Sequence, residues 1–477
     1  MDKSKIAPVT AILIGAGSRG RDAYGEYARN NPERLQFIAI AEPDIEKRKI
    51  FQNLHNIPDN MAFNSWEKLL EVKKGKIAQV AFICTPDRLH YKPAMKALEL
   101  RYDLVLEKPI APTLIECQNI HRLAEKNGCL VQICHVLRFT DFWQKIKQLI
   151  DTERLGKIIH YDHSENVSYW HFGHSFVRGS YKNKETSTAI ILAKTCHDLD
   201  LIHWLVNEKA VEIHSVGEVT HYKSENAPLN APKRCTDGCP IADECPWYAP
   251  RLYIDLEPII RTGIYSSSKM MRWITKQMIK SKRFINFLAL FNKDVRKIKN
   301  WDQFPLTSLT TDYSKEGVMK ALQEGPFGLC IYKTGNDVPD HQISTFTFPS
   351  GATATLTMHG LSEHEGRELR IFGSKGVLRG IFRNSKEILE LTDFRFGKTE
   401  IIHEEGLSLD AHGGGDSKIM DAFTAVILGE KTQEESNLTD ISSAMESHYM
   451  GFAAEESRII KKVQQVENFR QNLSNLF

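Results

Sequence analysis

Residues 10–20, TAILIGAGSRG, place the tightest constraint on the fold. A short apolar run ends in Gly15, Gly17 and Gly20, a GxGxxG array between a strand-like and a helix-like segment. The first glycine permits a tight turn, the second lets the backbone approach a pyrophosphate, and the third lets helix and strand pack closely. The helix start over Ser18, Arg19 and Gly20 then faces the phosphates with its amides and dipole. An isolated array of this kind is weak evidence. Here a second apolar run, QFIAIAEPD, follows, and Glu42 ends it 22 residues after Gly20. That context identifies a dinucleotide site. A carboxylate there accepts both ribose hydroxyls and repels a 2′-phosphate, which favours NAD. Lys47, Arg48 and Lys49 lie close by and keep NADP open.

The alternation continues through IEKRKIFQNL, VAFICTPD, YKPAMKALEL, YDLVLEKP, LIECQNIHRLAEKNG and CLVQICHVLRF. Buried strands alternating with helices of about ten residues predict a parallel sheet covered on both faces, an α/β Rossmann domain over residues 1–138. Beyond it, KIIHYDHSENVSYW, VEIHSVGEVTHY, HQISTFTFPSGATATLTMHG, RELRIFGSKGVLRGIF and KEILELTDF alternate apolar and polar residues. A period of two predicts a large open mixed or antiparallel sheet with one wet face. The second unit is therefore an α+β domain over residues 139–477, interrupted by an insert at about residues 221–340.

Composition narrows the class. A net charge of +2 over 477 residues gives no electrostatic reason to expect nucleic acid. No apolar run approaches the roughly 18 residues needed to span a bilayer. The N-terminal stretch lacks the apolar core and cleavage site of a signal peptide, and six of nine cysteines stand singly in mixed segments. Reduced thiols and a cytoplasmic setting are the expectation.

Glu107-Lys108-Pro109 ends the strand YDLVLEKP, at the carboxyl edge where doubly wound sheets bind ligands. With GAGSRG, Glu42, CTPDRLH and QICHVLRF, this EKP step makes the chain resemble the Gfo/Idh/MocA family of glucose–fructose oxidoreductase, inositol dehydrogenases and their relatives. The resemblance implies that Lys108 touches both the substrate hydroxyl and the nicotinamide, with Glu107 beside it. It implies that Thr85, Pro86 and His90 lie along the cofactor, although Asp87 stands where the family usually has Asn. It places Arg138 near the domain junction and implies subunit pairing through the C-terminal sheet, hence a homo-oligomer acting on a small carbohydrate or cyclitol.

Residues 192–205, LAKTCHDLDLIHWL, thread five ionisable side chains through an otherwise apolar helix. The resemblance aligns His197 with the family's proton-exchanging histidine and puts Ala193 where an aspartate usually stands. Lys194, three residues earlier, shares a helix face with His197, and an ammonium there would keep the imidazole neutral. Asp200, three residues later, could orient its second nitrogen and contact substrate. Asp198 and His203 are read as structural. Catalysis is thus expected from Lys108, His197 and Lys194.

Three further groups are singled out. WHFGHSFVRGSYKN offers His171, His174, Arg178 and Lys182 to sugar hydroxyls, and DAHGGGDSKIM offers His412 beside glycines, with Asp416 able to cap the next helix. RCTDGCPIADEC spaces Cys235, Cys239 and Cys245 as in a metal knuckle, for structural zinc or iron–sulfur, with His221 the nearest fourth donor. From Lys269 to Lys299 ten residues are basic and one acidic, with Met270, Trp273, Ile274 and Met278 at helical spacing. An amphipathic insert helix packed on the body or on another subunit is expected there, not a membrane contact. The overall expectation is an NAD(P)-dependent dehydrogenase of a sugar, glycoside or cyclitol. A redox-assisted glycosidase and a non-enzymatic dinucleotide-binding sensor are the alternatives.

Overall fold

A computed structural model describes residues 7–71, 75–265, 268–292, 295, 296, 298, 300–406 and 413–471. Six strands form a parallel sheet: β1 (Val9–Ile14), β2 (Leu35–Ala41), β3 (Ala62–Phe63), β4 (Val80–Ile83), β5 (Asp103–Leu106) and β6 (Val131–Ile133). Their spatial order is β3-β2-β1-β4-β5-β6. The order reverses between β1 and β4, so a crevice opens outside the carboxyl ends of these two strands. Every residue of β4 is buried, as expected of a strand covered on both faces.

Nine strands form the second sheet: β7 (Ile158–Ser168), β8 (Glu212–Glu218), β9 (His341–Thr347), β10 (Thr353–Ser362), β11 (Gly366–Gly373), β12 (Gly376–Arg383), β13 (Lys386–Asp393), β14 (Lys398–Glu405) and β15 (Gln464–Gln465). The order is β14-β13-β12-β11-β7-β10-β9-β8-β15. β7 and β10 run parallel and the other neighbours antiparallel, so the sheet is mixed. β8 alternates exposed and buried residues along its whole length, leaving one face open. On the covered face Tyr161, Phe346, Leu356, Ile371 and Leu389 join Trp143 and Leu199 in the largest core. β14 escaped the pattern analysis because its sequence, KTEIIHEE, buries only His403 and so lacks the period of two.

The chain returns to the first sheet at its end. Helix Gly415–Ile427 buries Ile419, Met420 and Phe423 against one face, and helix Ile441–Ile460 buries Ile441, Ala444 and Met445 against the other. The Ile133 amide donates to Thr439 O at 2.9 Å. These helices read from sequence as part of the second unit because nothing local marks the sheet they pack on.

The insert carries two small cores, one of Cys235, Leu252, Tyr253, Val318 and Leu322, the other of Ile260, Met278, Ala289 and Val295. Its basic stretch forms two helices, Lys269–Lys280 and Lys282–Phe291. The expected apolar face is split: Met278 is buried and Ile274 packs on the core, whereas Met270 and Trp273 are 67% and 57% exposed. Among the described residues no helix is long and apolar enough to cross a membrane.

Candidate active site

The glycine turn has the shape its sequence demands. Gly15 sits at φ +96°, and a Cβ there would lie 2.6 Å from Cys84 O. A Cβ on Gly20 would lie 2.3 Å from Gly15 O, whereas one on Gly17 would meet nothing within 4 Å. Two glycines thus close the strand–helix packing, and the third leaves the backbone approachable, as a pyrophosphate requires. Ser18 opens the helix without spending its hydroxyl on a cap. The Glu42 carboxylate accepts the Ala16 amide at 2.7 Å and the Asp44 amide at 2.9 Å. Each of its oxygens keeps a second lone pair, so the carboxylate retains room for ribose hydroxyls. The Thr85 hydroxyl is buried with no hydrogen-bond partner, a polar atom that a dinucleotide alongside would satisfy. These features fit a bound NAD.

His90 does different work from the contact expected. It is buried, and its two ring nitrogens lie 2.8 Å from Thr85 O and from Pro109 O. It pins the β4 loop, with Pro86, to the EKP turn. Arg19 also departs from a plain phosphate contact. Its Nε donates to Glu107 at 2.6 Å and its Nη2 to Asp416 at 2.7 Å, and it lies over the Tyr24 ring. Burial raises the Glu107 carboxyl, but Arg19 and Tyr24 outweigh it and hold it below its ordinary value. Glu107 is therefore an anion committed to Arg19 and to the Lys108 amide, 3.2 Å away. The N-cap position is Gly414, and Asp416, in the first turn, ties the helix to the glycine turn through Arg19.

Lys108 follows Glu107 at the edge of β5, and its ammonium donates to Ala193 O at 3.1 Å. Ala193 ends the short helix Ile190–Ala193, and a second helix, Cys196–Val206, starts after a break at Lys194 and Thr195. The single helix expected over 192–205 is thus two, and Thr195 bonds back to Ile191 O at 2.8 Å. His197 lies four residues beyond the carbonyl that Lys108 reaches, in the second of these helices. It is 8% exposed, and its ring sits 5.5 Å from His135, which follows β6. Burial lowers the His135 imidazole to about 4, despite Asp200 nearby.

The other charges of this segment find partners on other elements. Asp200 accepts two bonds of 2.6 Å from Arg138 and is 1% exposed. This corrects the expectation that Asp200 orients His197 or binds substrate: its carboxylate faces a guanidinium that burial obliges it to neutralise. Asp198 accepts from Arg367 and lies 2.7 Å from His163 Nε2, and His203 Nδ1 lies 3.1 Å from Glu208 O. Lys194 is not a bare ammonium beside His197. Its Nζ lies 3.0 Å from Glu165 and 3.8 Å from Glu365, and these carboxylates offset its charge.

Those two acids escaped the sequence analysis. Glu165 sits on β7 at 1% exposure, and burial raises its carboxyl above the ordinary value although Arg367 and Lys194 oppose the shift. Glu365 precedes β11 and takes a hydrogen bond from Ser168 and a contact from His171. Enclosure raises its carboxyl, and His171 and Lys194 outweigh that, bringing it down to about 2. The legible signal was the alternation in β7, whose inward register contains a glutamate. The loop before the odd helix divides: His171 joins this network, whereas His174 is buried against Tyr253 and Phe327. Lys182 reaches Thr334 O in the insert at 3.4 Å.

Arg178, expected to meet a sugar, is 1% exposed and donates to Leu329 O and Trp247 O at 2.8 Å each. That corrects its assignment, because it belongs to the interior of the insert. Cys235, Cys239 and Cys245 line a recess together with Arg178 and a fourth thiol, Cys330. His221 does not line that recess, and its Nε2 lies 3.3 Å from the Tyr332 hydroxyl. His412 lies outside the described residues.

Comparison with known proteins agrees with this architecture. Residues 9–135 match the oxidoreductase family with an NAD-binding Rossmann fold, and residues 143–238 match the GFO/IDH/MocA C-terminal domain. The oxidoreductase-named protein YteT of Bacillus subtilis is 22% identical over 388 residues, 78% of this chain and 77% of that one. Inositol 2-dehydrogenase of Salmonella typhimurium is 25% identical over 207 residues, 43% of this chain and 57% of that one. A levoglucosan dehydrogenase solved with NADH and levoglucosan superposes with a TM-score of 0.62 at 14% identity, over 96% of this chain and 99% of that one. The glycine turn, the EKP edge and the mixed sheet accordingly have one source: the chain belongs to the Gfo/Idh/MocA family of NAD-binding oxidoreductases.

Proposed function

We propose that this protein is a dehydrogenase that uses NAD to oxidise a hydroxyl-bearing carbon of a sugar, glycoside or cyclitol, or to reduce the matching ketone. The observation that carries this reading is the meeting of Lys108 with the carbonyl of Ala193, four residues before His197 in the sequence. An amine from the first domain thereby meets the segment of the second domain that carries the imidazole. The glycine turn, Glu42 and Thr85 would hold the dinucleotide, which when bound supplies the hydride acceptor. Lys108 positions and polarises the reacting oxygen, and His197 takes its proton as alkoxide character develops. Glu165, Lys194 and Glu365 supply polar groups for neighbouring hydroxyls, and the carboxylates keep the local charge near balance.

NAD is preferred to NADP because the Glu42 carboxylate ends β2 where a 2′-phosphate would sit. The open sheet face carries Val216 and Ile343 as an exposed cross-strand pair, 48% and 40% exposed. This supports pairing with a second copy through that face, which sedimentation velocity measures.

A second reading, a redox-assisted glycosidase, draws support from Glu165, whose raised carboxyl could protonate a leaving oxygen. One screen separates the two. Sugars, inositols and glycosides are incubated with NAD while reduced cofactor and released aglycone are followed together. Accumulating NADH supports the dehydrogenase, aglycone without net NADH supports the glycosidase, and neither product across the panel overturns both.

A further inference from the structure

We propose that Cys235, Cys239, Cys245 and Cys330 are the four ligands of an iron–sulfur cluster built into the insert. Three of these thiols come from one loop, and the fourth stands 85 residues further along the chain. An antiparallel bridge between Arg234 and Leu329 brings them together. The Cys235 amide donates to Gly328 O at 2.8 Å and the Cys330 amide to Lys233 O at 2.8 Å, so the two cysteines flank the same pair of short extended segments. Successive tight turns then carry Cys239 and Cys245 around the recess: Ala242 N donates to Cys239 O, and Cys245 N to Ile241 O at 2.9 Å. Gly238, at φ +75°, makes the first of these turns possible. All four thiols line one small recess together with Arg178.

The spacing of the thiols favours a multi-iron cluster over a single ion, and a second observation favours a bound anionic centre in the recess. Four thiolates around one zinc at about 2.3 Å would have to stand roughly 3.8 Å apart. No three of these sulfurs come within 4.8 Å of one another. A four-iron cluster attaches each thiolate to a different iron and so holds them more widely. Cys239 and Cys245 are each followed by proline, a step also found in cluster-binding runs.

The second observation is Arg178. Its guanidinium is 1% exposed, lines the recess and approaches Cys235 Sγ at 3.5 Å. Its Nη1 has no hydrogen-bond partner, and no carboxylate pairs with it among the described residues. A buried guanidinium needs an anion, and a four-thiolate cluster carries net negative charge at that position. The cluster ties the loop at 235–245 to the segment at 328–330, a structural role that leaves the hydride chemistry to the Rossmann crevice.

The full chain, expressed with iron supplied and purified anaerobically without chelator, is assayed for iron, zinc and acid-labile sulfide. The expected content is about four iron and four sulfide per chain, with broad visible absorption that dithionite bleaches. One zinc per chain without sulfide overturns the proposal. So does a chain that takes up neither iron nor sulfide on anaerobic reconstitution. Cys330→Ala and the half-buried Cys239→Ala should each lose more than half of the iron, while Cys129→Ala in the first domain keeps it. Circular dichroism separates loss of ligand from loss of fold. A folded Cys330→Ala or Cys239→Ala protein with undiminished iron and sulfide also overturns the assignment.

Discussion

Asp200 gives the sharpest test of how this site is held. Its two oxygens each accept a 2.6 Å bond from Arg138, and both side chains are 5% exposed or less. Burial raises the Asp200 carboxyl, and Arg138 and His135 outweigh it, so the group is an anion in the folded chain. In Asp200→Asn the guanidinium loses its counter-charge while staying inside. Two charge-assisted bonds at about 1.5–3 kcal/mol each bound the loss at about 3–6 kcal/mol. Removing one partner of a buried pair costs about 3–5 kcal/mol. Against a total stability of about 5–15 kcal/mol, that is a large fraction. The assay is urea unfolding at pH 7 of the wild type, Asp200→Asn, and the double variant Arg138→Met with Asp200→Leu. The single variant should unfold at much lower urea, and the double should recover at least half of the difference, because no charge is then stranded. An Asp200→Asn protein as stable as the wild type, but with kcat reduced a hundredfold, would refute the reasoning and return Asp200 to a role beside His197.

Other perturbations follow from the same geometry. Lys108→Met should lower kcat/KM by about 10²–10⁴ and leave dinucleotide affinity within a few-fold, measured by steady-state kinetics and by titration of nucleotide fluorescence. Gly17→Ala should weaken dinucleotide binding without lowering Tm, since its Cβ enters open space, whereas Gly20→Ala should lower Tm, since its Cβ would lie 2.3 Å from Gly15 O. Burial holds the His135 and His448 imidazoles at about 4, below their ordinary 6.5. Both are neutral when folded, so their contribution is complete above pH 6.5 and is lost as pH falls towards 4, by about 3 kcal/mol per imidazole. His448→Gln, which can still accept the Ile110 amide, should remove about one proton from the slope of urea stability against pH in that window. An unchanged slope would refute this.

Much of the first domain was legible because its elements advertise themselves locally. Apart from the two-residue β3, the strands of the parallel sheet are short, mostly apolar runs, and the glycine turn and Glu42 occupy fixed positions relative to β1 and β2. The second sheet was legible where one face is buried, as in β8, and illegible in β14, where a single inward residue leaves no period. Site residues divided along the same line. Lys108 and Glu42 stand at strand ends, where local sequence predicts position. The partners of Lys194 and Asp200 could not be foreseen, because Glu165 lies on β7 and Arg138 precedes the second domain, and only the tertiary fold chooses which acid meets which base. Cys330 was invisible for the same reason: a lone cysteine becomes a fourth ligand only once a bridge pairs Arg234 with Leu329.

Three of the five ionisable side chains of residues 192–205, Lys194, Asp198 and Asp200, then have a common physical reason. An α-helix turns by about 100° per residue, so Asp198 and Asp200 lie on either side of His197, roughly 100° one way and 60° the other. One anchors to Arg367 and His163 on the mixed sheet, and the other to Arg138 beside the parallel sheet. Lys194, at the break preceding the helix, anchors to Glu165. Rotation of the helix about its axis would strain one of these ion pairs in either direction, so the pairs help to set the orientation of His197. A purely apolar helix in this place would pack as well but would slide, because hydrophobic contact is non-directional. Directional pairs to three separate elements convert a packed helix into one of fixed orientation.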